Sequence, residues 1–268
     1  MAAPKVLVIA GNGFNCERET LYAFEMCGGK PDIVHMNDII SGEVSISAYQ
    51  IMAFIGGFSY GDHLGGGKVT ANKFKYYLFD TLKEFILQDT LIIGICNGFQ
   101  VITQVGILPG FDPAKRDYSS HVITLAQNTS ARYEDRWVHL SVNDNTHCIF
   151  TRNIEHLFLP VRHGEGKLFS PDKTIIERLF EANQAVMQYS NPVTMQPTGE
   201  YPYNPNGSQG NLAGICDSTG RIFGLMPHPE AYLSPFNHPY WTRLKLQNSL
   251  PSEGDGVRIF RNAITYFQ

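Results

Sequence analysis

Disulfide chemistry has little to work with in this chain. Its five cysteines (Cys16, Cys27, Cys96, Cys148 and Cys216) are scattered over 268 residues and none forms a Cys-x-x-Cys pair. The odd number speaks against a complete disulfide framework, so a reduced, cytoplasmic setting is expected. No apolar run approaches the roughly 20 residues of a membrane span, and the strand-like residues 6–10 lack a signal-peptide layout. A net charge of −4 gives no reason to expect nucleic acid or an anionic membrane as partner. No Walker pattern and no Gly-x-Gly-x-x-Gly occurs, which leaves a phosphate-cradling reading of the Gly-rich loops weak. Internal repeats and linker-like stretches are also missing, so one domain is expected. Asn128-Thr-Ser130 and Asn206-Gly-Ser208 match the glycosylation pattern, which carries no such meaning in a cytosolic protein.

What is present is an ordinary globular composition, 43% hydrophobic and 17% charged, able to bury a sizeable core. Residues 5–10, 32–36, 49–55 and 91–95 read as short apolar strands. Residues 16–26 and 74–87 between them have helical periodicity. This alternation predicts an α/β fold with a mostly parallel, doubly wound sheet and helices on both faces. Gly11-Asn-Gly13, Gly56-Gly57 and Gly94-Ile-Cys96-Asn-Gly98 all fall at carboxyl ends of the predicted strands, where such sheets bind ligands. After residue 105 the pattern changes. Residues 121–127 and 136–142 alternate like strands of an antiparallel sheet, and 158–163 adds another short strand. A helix over 175–182, a strand over 186–189, a hairpin of 212–216 with 221–226 and a final helix over 257–266 complete the reading. Residues 190–210, with four prolines and three glycines, are expected to form a long loop.

The chemistry centres on Gly94-Ile-Cys96-Asn-Gly98. An apolar strand ends in Gly-x-Cys-x-Gly and a helix-compatible segment follows at once, the spacing of a nucleophile elbow with cysteine for serine. Such a turn strains its central residue and needs small neighbours. The following helix's N-terminus favours a thiolate. Taken alone, the stretch is equally a buried strand ending in a glycine turn. A cysteine nucleophile also needs a base and a group that orients the base. Of nine histidines, His228 stands out: it lies at the end of an apolar strand, between Pro227 and Pro229, with Glu230 two positions on. In extended backbone, residues two apart face the same side. His163, next to Glu165, has a lesser claim. Asn97 N–H supplies one oxyanion donor by construction, and the 56–62 loop is the natural source of a second. The order Cys…His-x-Glu disfavours an α/β-hydrolase, whose histidine comes last.

Gly94-Ile-Cys96-Asn-Gly-Phe-Gln100 and Pro227-His228-Pro-Glu230 resemble the class I glutamine amidotransferases. Gly56-Gly-Phe-Ser-Tyr-Gly-Asp62, Asn128-Thr-Ser-Ala-Arg-Tyr133, Pro160-Val-Arg-His-Gly-Glu-Gly166 and Tyr203-Asn-Pro-Asn-Gly-Ser208 narrow the match. They resemble the glutaminase subunits of phosphoribosylformylglycinamidine synthase, in the same order along the chain. The resemblance implies a single amidotransferase domain over 1–268, with a catalytic core of about 4–231 and a C-terminal extension over 232–268. It implies Cys96 as nucleophile, His228 as general base and acid, and Glu230 as orienter. Backbone at Gly57, Phe58 and Asn97 would hold the oxyanion, while Gln100, Asn128, Ser130 and Tyr133 would recognise glutamine. Ammonia would pass to a large synthetase subunit, with or without a small bridging subunit. That partner would carry ATP and Mg²⁺ and convert formylglycinamide ribonucleotide to its amidine in purine biosynthesis. No cofactor and no metal are expected in this chain. Two departures stand out: Gly65-Gly-Gly67 where the family has a basic residue, and Ala231 where it often has arginine. The alternative is a Cys-dependent hydrolase or peptidase of the same fold, acting on another small amide.

Overall fold

In the computed structural model, residues 3–112 and 121–268 are described; the span 113–120 of the expected core lies outside them. The first half of the chain alternates strand and helix. Its elements are β1 (Lys5–Ala10), α1 (Glu17–Met26), β2 (Lys30–His35), α2 (Met36–Ile40), β3 (Ile51–Phe54), α3 (Lys68–Lys73), α4 (Phe79–Leu87), β4 (Leu91–Ile95) and α5 (Asn97–Val105). Then follow β5 (Thr124–Ala126), β6 (Glu134–Val142), β7 (His156–His163), β8 (Lys167–Phe169), α6 (Lys173–Glu181), β9 (Ala185–Ser190), β10 (Leu212–Cys216), β11 (Ile222–Leu225), α7 (Trp241–Leu246) and α8 (Val257–Thr265).

Nine strands form one sheet in the order β2-β1-β3-β4-β11-β10-β9-β6-β7. From β2 to β11 all neighbours are parallel, and from β11 to β7 all are antiparallel. β3 and β4 are buried throughout, as strands covered on both faces must be. The chain moves outward from β1 to β2, then returns past β1 to β3. Right-handed crossovers in opposite directions put helices on opposite faces and leave a crevice at the β1/β3 reversal. α1 is joined to α8 by the edge-to-face pair Phe24–Phe260, at 5.0 Å, while α5 packs on β3, β4 and β11.

Two differences from the sequence reading bear on the site. Residues 121–127 and 136–142 do not share a sheet. β6 joins the large sheet between β9 and β7, burying Val138, Leu140 and Val142 on one face. β5 instead pairs with β8 in a separate two-stranded antiparallel sheet. The helix over 74–87 begins earlier, at α3, and passes through a π turn at Phe74–Leu78. Phe74, Leu78, Leu82, Phe85 and Ile86 form its buried stripe. The wider turn moves Tyr77 out of that stripe, leaving it 56% exposed.

Candidate active site

Cys96 follows the last residue of β4 and caps α5, with φ 51° and ψ −104°. A non-glycine residue in that region is strained and persists only when its surroundings impose it. Two close approaches impose it here. A Cβ at Gly98 would collide with the Phe54 carbonyl, and one at Gly94 would lie 2.8 Å from the Gly98 oxygen. The turn can therefore close only with glycine on both sides. Cys96 N–H donates to the Leu225 carbonyl at 2.8 Å, and its thiol lies 3.5 Å from the Arg162 carbonyl as donor. Cys96 is 5% exposed.

Parallel pairing of β4 with β11 brings the second half of the constellation in. Leu225 sits opposite Ile95, so the chain leaving β11 runs into His228 beside the residue that follows Ile95. His228 N–H is anchored on the Pro160 carbonyl at 2.8 Å. The expected extended backbone stops at His228, and Pro229–Ala231 form a 3-10 turn with proline at its first position. The pair forms all the same. His228 Nδ1 and Glu230 Oε1 are 2.6 Å apart, and both residues are buried. Among the described residues neither His228 Nε2 nor Glu230 Oε2 has a hydrogen-bond partner. Burial alone favours a neutral imidazole, but the Glu230 carboxylate, helped by the Cys96 and Cys16 thiols, reverses this and holds the His228 pKa well above the usual value.

The Gly56-Gly57 loop forms the opposite wall and is zipped to the loop after β1. Phe58 N–H donates to the Gly13 carbonyl at 2.8 Å, and Tyr60 N–H to Asn12 at 2.9 Å. The Phe58 donor expected for the oxyanion is thus already engaged. Gly57, at φ 147°, has an N–H with no acceptor among the described residues. Asn97 ties this loop to the elbow helix: its Oδ1 accepts Ser59 N–H at 3.3 Å and its Nδ2 donates to Gln100 Oε1 at 2.9 Å.

The expected glutamine-binding residues divide into two groups. Gln100 and Asn128 are spent within the protein. Gln100 Nε2 donates to the Glu165 carbonyl at 2.7 Å. Asn128 Nδ2 donates to the Arg132 and His163 carbonyls, while its Oδ1 accepts from Gly166 N–H at 3.0 Å and faces His163 Nδ1 at 3.1 Å. Ser130 donates to Glu134 Oε1 at 2.6 Å. Tyr133 is different: it is 52% exposed, its ring lies 6.2 Å from that of Phe58, and partial burial with the nearby Cys96 raises its phenol pKa. His163 is 2% exposed and held neutral, with a pKa pushed down to about 3 by burial and by His228. Its second nitrogen faces Asn206, which also donates to the Gly166 carbonyl and to Tyr189. The Tyr203–Ser208 segment is therefore a scaffold under the 163–166 loop.

Sequence reasoning missed Cys16. It closes the loop after β1, and its Sγ lies with a donor nitrogen of His228 and a carboxylate oxygen of Glu230 within 4.8 Å of one another. Burial pushes its thiol up to about 11, partly offset by His228. The clue was its position just past Gly11-Asn-Gly13, at the same sheet edge as the elbow.

A strained thiol, a carboxylate-bound imidazole and a glycine loop at the ends of parallel strands are the arrangement that nucleophilic catalysis requires. The chain belongs to the family of CobB/CobQ-like glutamine amidotransferase domains, whose model matches residues 3–267. It is 47% identical over 272 residues to phosphoribosylformylglycinamidine synthase subunit PurQ of Methanococcus maripaludis, covering 98% of this chain and 97% of that protein. To the PurQ subunit of Dehalococcoides mccartyi it is 43% identical over 267 residues, covering 99% and 98%. Among solved structures, a chain of PurLQS from Thermotoga maritima superposes with a TM-score of 0.71 at 27% identity, covering 99% of this chain and 100% of that one. A glutamine amidotransferase from Thermotoga maritima shares the fold, with a TM-score of 0.56 at 14% identity, covering 99% and 98%.

Proposed function

We propose that this chain is the glutaminase subunit of a phosphoribosylformylglycinamidine synthase, hydrolysing L-glutamine through Cys96, His228 and Glu230. The observation that carries the reading is the buried His228–Glu230 pair, 2.6 Å apart, beside a thiol held at φ 51°. The Cys96 sulfur, its proton passed to His228, adds to the glutamine side-chain amide carbon. Protonated His228 then gives its proton to the departing nitrogen, so ammonia leaves and a γ-glutamyl thioester remains. Water, losing a proton to His228, cleaves the thioester, and glutamate leaves as Cys96 is restored. The Gly57 and Asn97 N–H groups stabilise the oxyanion in both steps. Phe58, already bonded to Gly13, supports that loop.

Tyr133 meets the glutamine, while Gln100, Asn128 and Ser130 hold the walls against which it lies. Residues 232–268 act with the core as one amidotransferase domain. The ammonia goes to a large synthetase subunit that carries ATP and Mg²⁺ and converts formylglycinamide ribonucleotide to its amidine in purine biosynthesis. A small third subunit bridges the two, in keeping with the PurLQS relative. The setting is the cytoplasm; among the described residues no helix is long and apolar enough to cross a membrane.

The test is glutamate release from glutamine, with and without the large subunit, for wild type and Cys96→Ala. Weak release alone, stronger release in the complex and none from the variant are expected. Equal activity in Cys96→Ala would sink the reading.

A further inference from the structure

Cys16 takes no part in the amide chemistry above, yet it stands against the base that performs it. A Cβ built on Gly56 would touch both groups, lying 3.1 Å from Cys16 Sγ and 2.8 Å from His228 Cε1. Only a glycine lets the thiol and the imidazole share that space. Sulfur, imidazole nitrogen and Glu230 carboxylate oxygen all fall within 4.8 Å of one another. Two further atoms in this cluster are buried and unbonded among the described residues, His228 Nε2 and Glu230 Oε2, on side chains at least 95% buried. Among the described residues the thiol's competing hydrogen bond is a 3.3 Å donation to Asn15 Oδ1.

A thiolate, an imidazole and a carboxylate are the donors that zinc takes in proteins, with bonds of about 2.0–2.3 Å. Donor atoms around such an ion lie roughly 3–4 Å apart, so side-chain rotations without backbone movement would gather these three. We propose that Cys16, His228 and Glu230 form a regulatory binding site for a soft divalent cation of the Zn²⁺ type, which switches the glutaminase off reversibly. On binding, the Cys16 thiol and the His228 imidazolium each give up a proton to solvent, and the freed lone pairs go to the metal; nothing is oxidised or reduced. The imidazole lone pair and the carboxylate then serve the ion. His228 can no longer move the proton of the leaving amine, and Glu230 no longer orients it. The fourth position is left for water, because Cys96 lies outside the group of mutually close donors. Cys16 is half-buried and opens this site to solvent from the side of the β1 loop.

This inference concerns metal binding and does not depend on which amide the enzyme cleaves. The experiment titrates the metal-free full chain with Co²⁺ and Zn²⁺, following the near-ultraviolet thiolate-to-cobalt band and its displacement by zinc. It uses wild type, Cys16→Ser, Cys16→Ala and Cys96→Ser. One thiolate-ligated ion per chain is expected in wild type and in Cys96→Ser, with at least a tenfold loss of affinity in both Cys16 variants. Glutamate release by wild type is expected to fall at least tenfold at saturating Zn²⁺ and to recover with chelator. Absence of the band in wild type, or its loss in Cys96→Ser with retention in the Cys16 variants, would overturn the proposal. Thermal melts of the metal-free variants separate a lost site from a lost fold.

Discussion

Two buried histidines near Cys96 have their pKa values moved in opposite directions, His228 up and His163 down. His228 rests on a carboxylate, with two thiols nearby, and its pKa is raised against the effect of its own burial. His163, the residue after the Arg162 carbonyl that accepts the Cys96 thiol, rests on the amides of Asn128 and Asn206 and is held neutral. Burial is common to both, so the partners decide. A carboxylate can stabilise an imidazolium, and an amide oxygen supplies only a dipole. The difference separates the proposed proton carrier from a histidine that holds a loop.

Replacing the carboxylate is the strongest way to break this contrast. Glu230→Gln should lower glutaminase kcat roughly 10²–10⁴-fold, the range spanned by general acid–base contributions. It should also move the His228 limb of the pH–rate profile to lower pH, since the carboxylate is what raises that group. An unchanged limb would show that Glu230 does not set the charge of His228.

Acid stability probes the other histidine. The folded His163 pKa is about 3, below the ~6.5 of an unfolded chain, so the unfolded state takes up a proton first as pH falls. Stability is therefore lost between about pH 6.5 and 3, by roughly 4–5 kcal/mol at about 1.4 kcal/mol per pH unit. His228 contributes no slope in that window, because its raised pKa leaves it protonated in both states below about 6.5. Its stabilising contribution is instead lost as pH rises through its folded pKa. Denaturant melts across this range should be steeper in pH for wild type than for His163→Gln, and equal slopes would remove His163 from the account.

A smaller effect is expected from the amide that holds His163. Asn128→Ala leaves Gly166 N–H, His163 Nδ1 and two carbonyls without their partner. The expected loss is about 1–3 kcal/mol in chemical denaturation, with KM for glutamine raised more than kcat is lowered, because the wall moves and the triad does not. A variant as stable as wild type would show that water replaces the amide.

The residues proposed for catalysis were legible because each carries a local signature. Gly94-Ile-Cys96-Asn-Gly98 announces a strained turn, and His228 with Glu230 lies within one short segment. The walls were not legible in the same way. Gln100 and Asn128 are amides whose partners lie 65 and 35 residues away, and no spacing rule forecasts which backbone they will meet. Phe58 was read as an oxyanion donor because glycines precede it. Its N–H is taken by Gly13, from a loop that reaches it only when β1 and β3 pair.

By itself, the order of residues determined the elbow, the imidazole–carboxylate pair and the α/β alternation, since these follow from backbone sterics and periodicity over a few residues. Tertiary structure decided which thiols share His228, which of two buried histidines has its pKa raised, and which N–H groups stay free. Those outcomes depend on desolvation and on partners brought together by parallel pairing of β1 with β3 and of β4 with β11. Such strands are distant in sequence, and only the folded sheet sets their loops side by side.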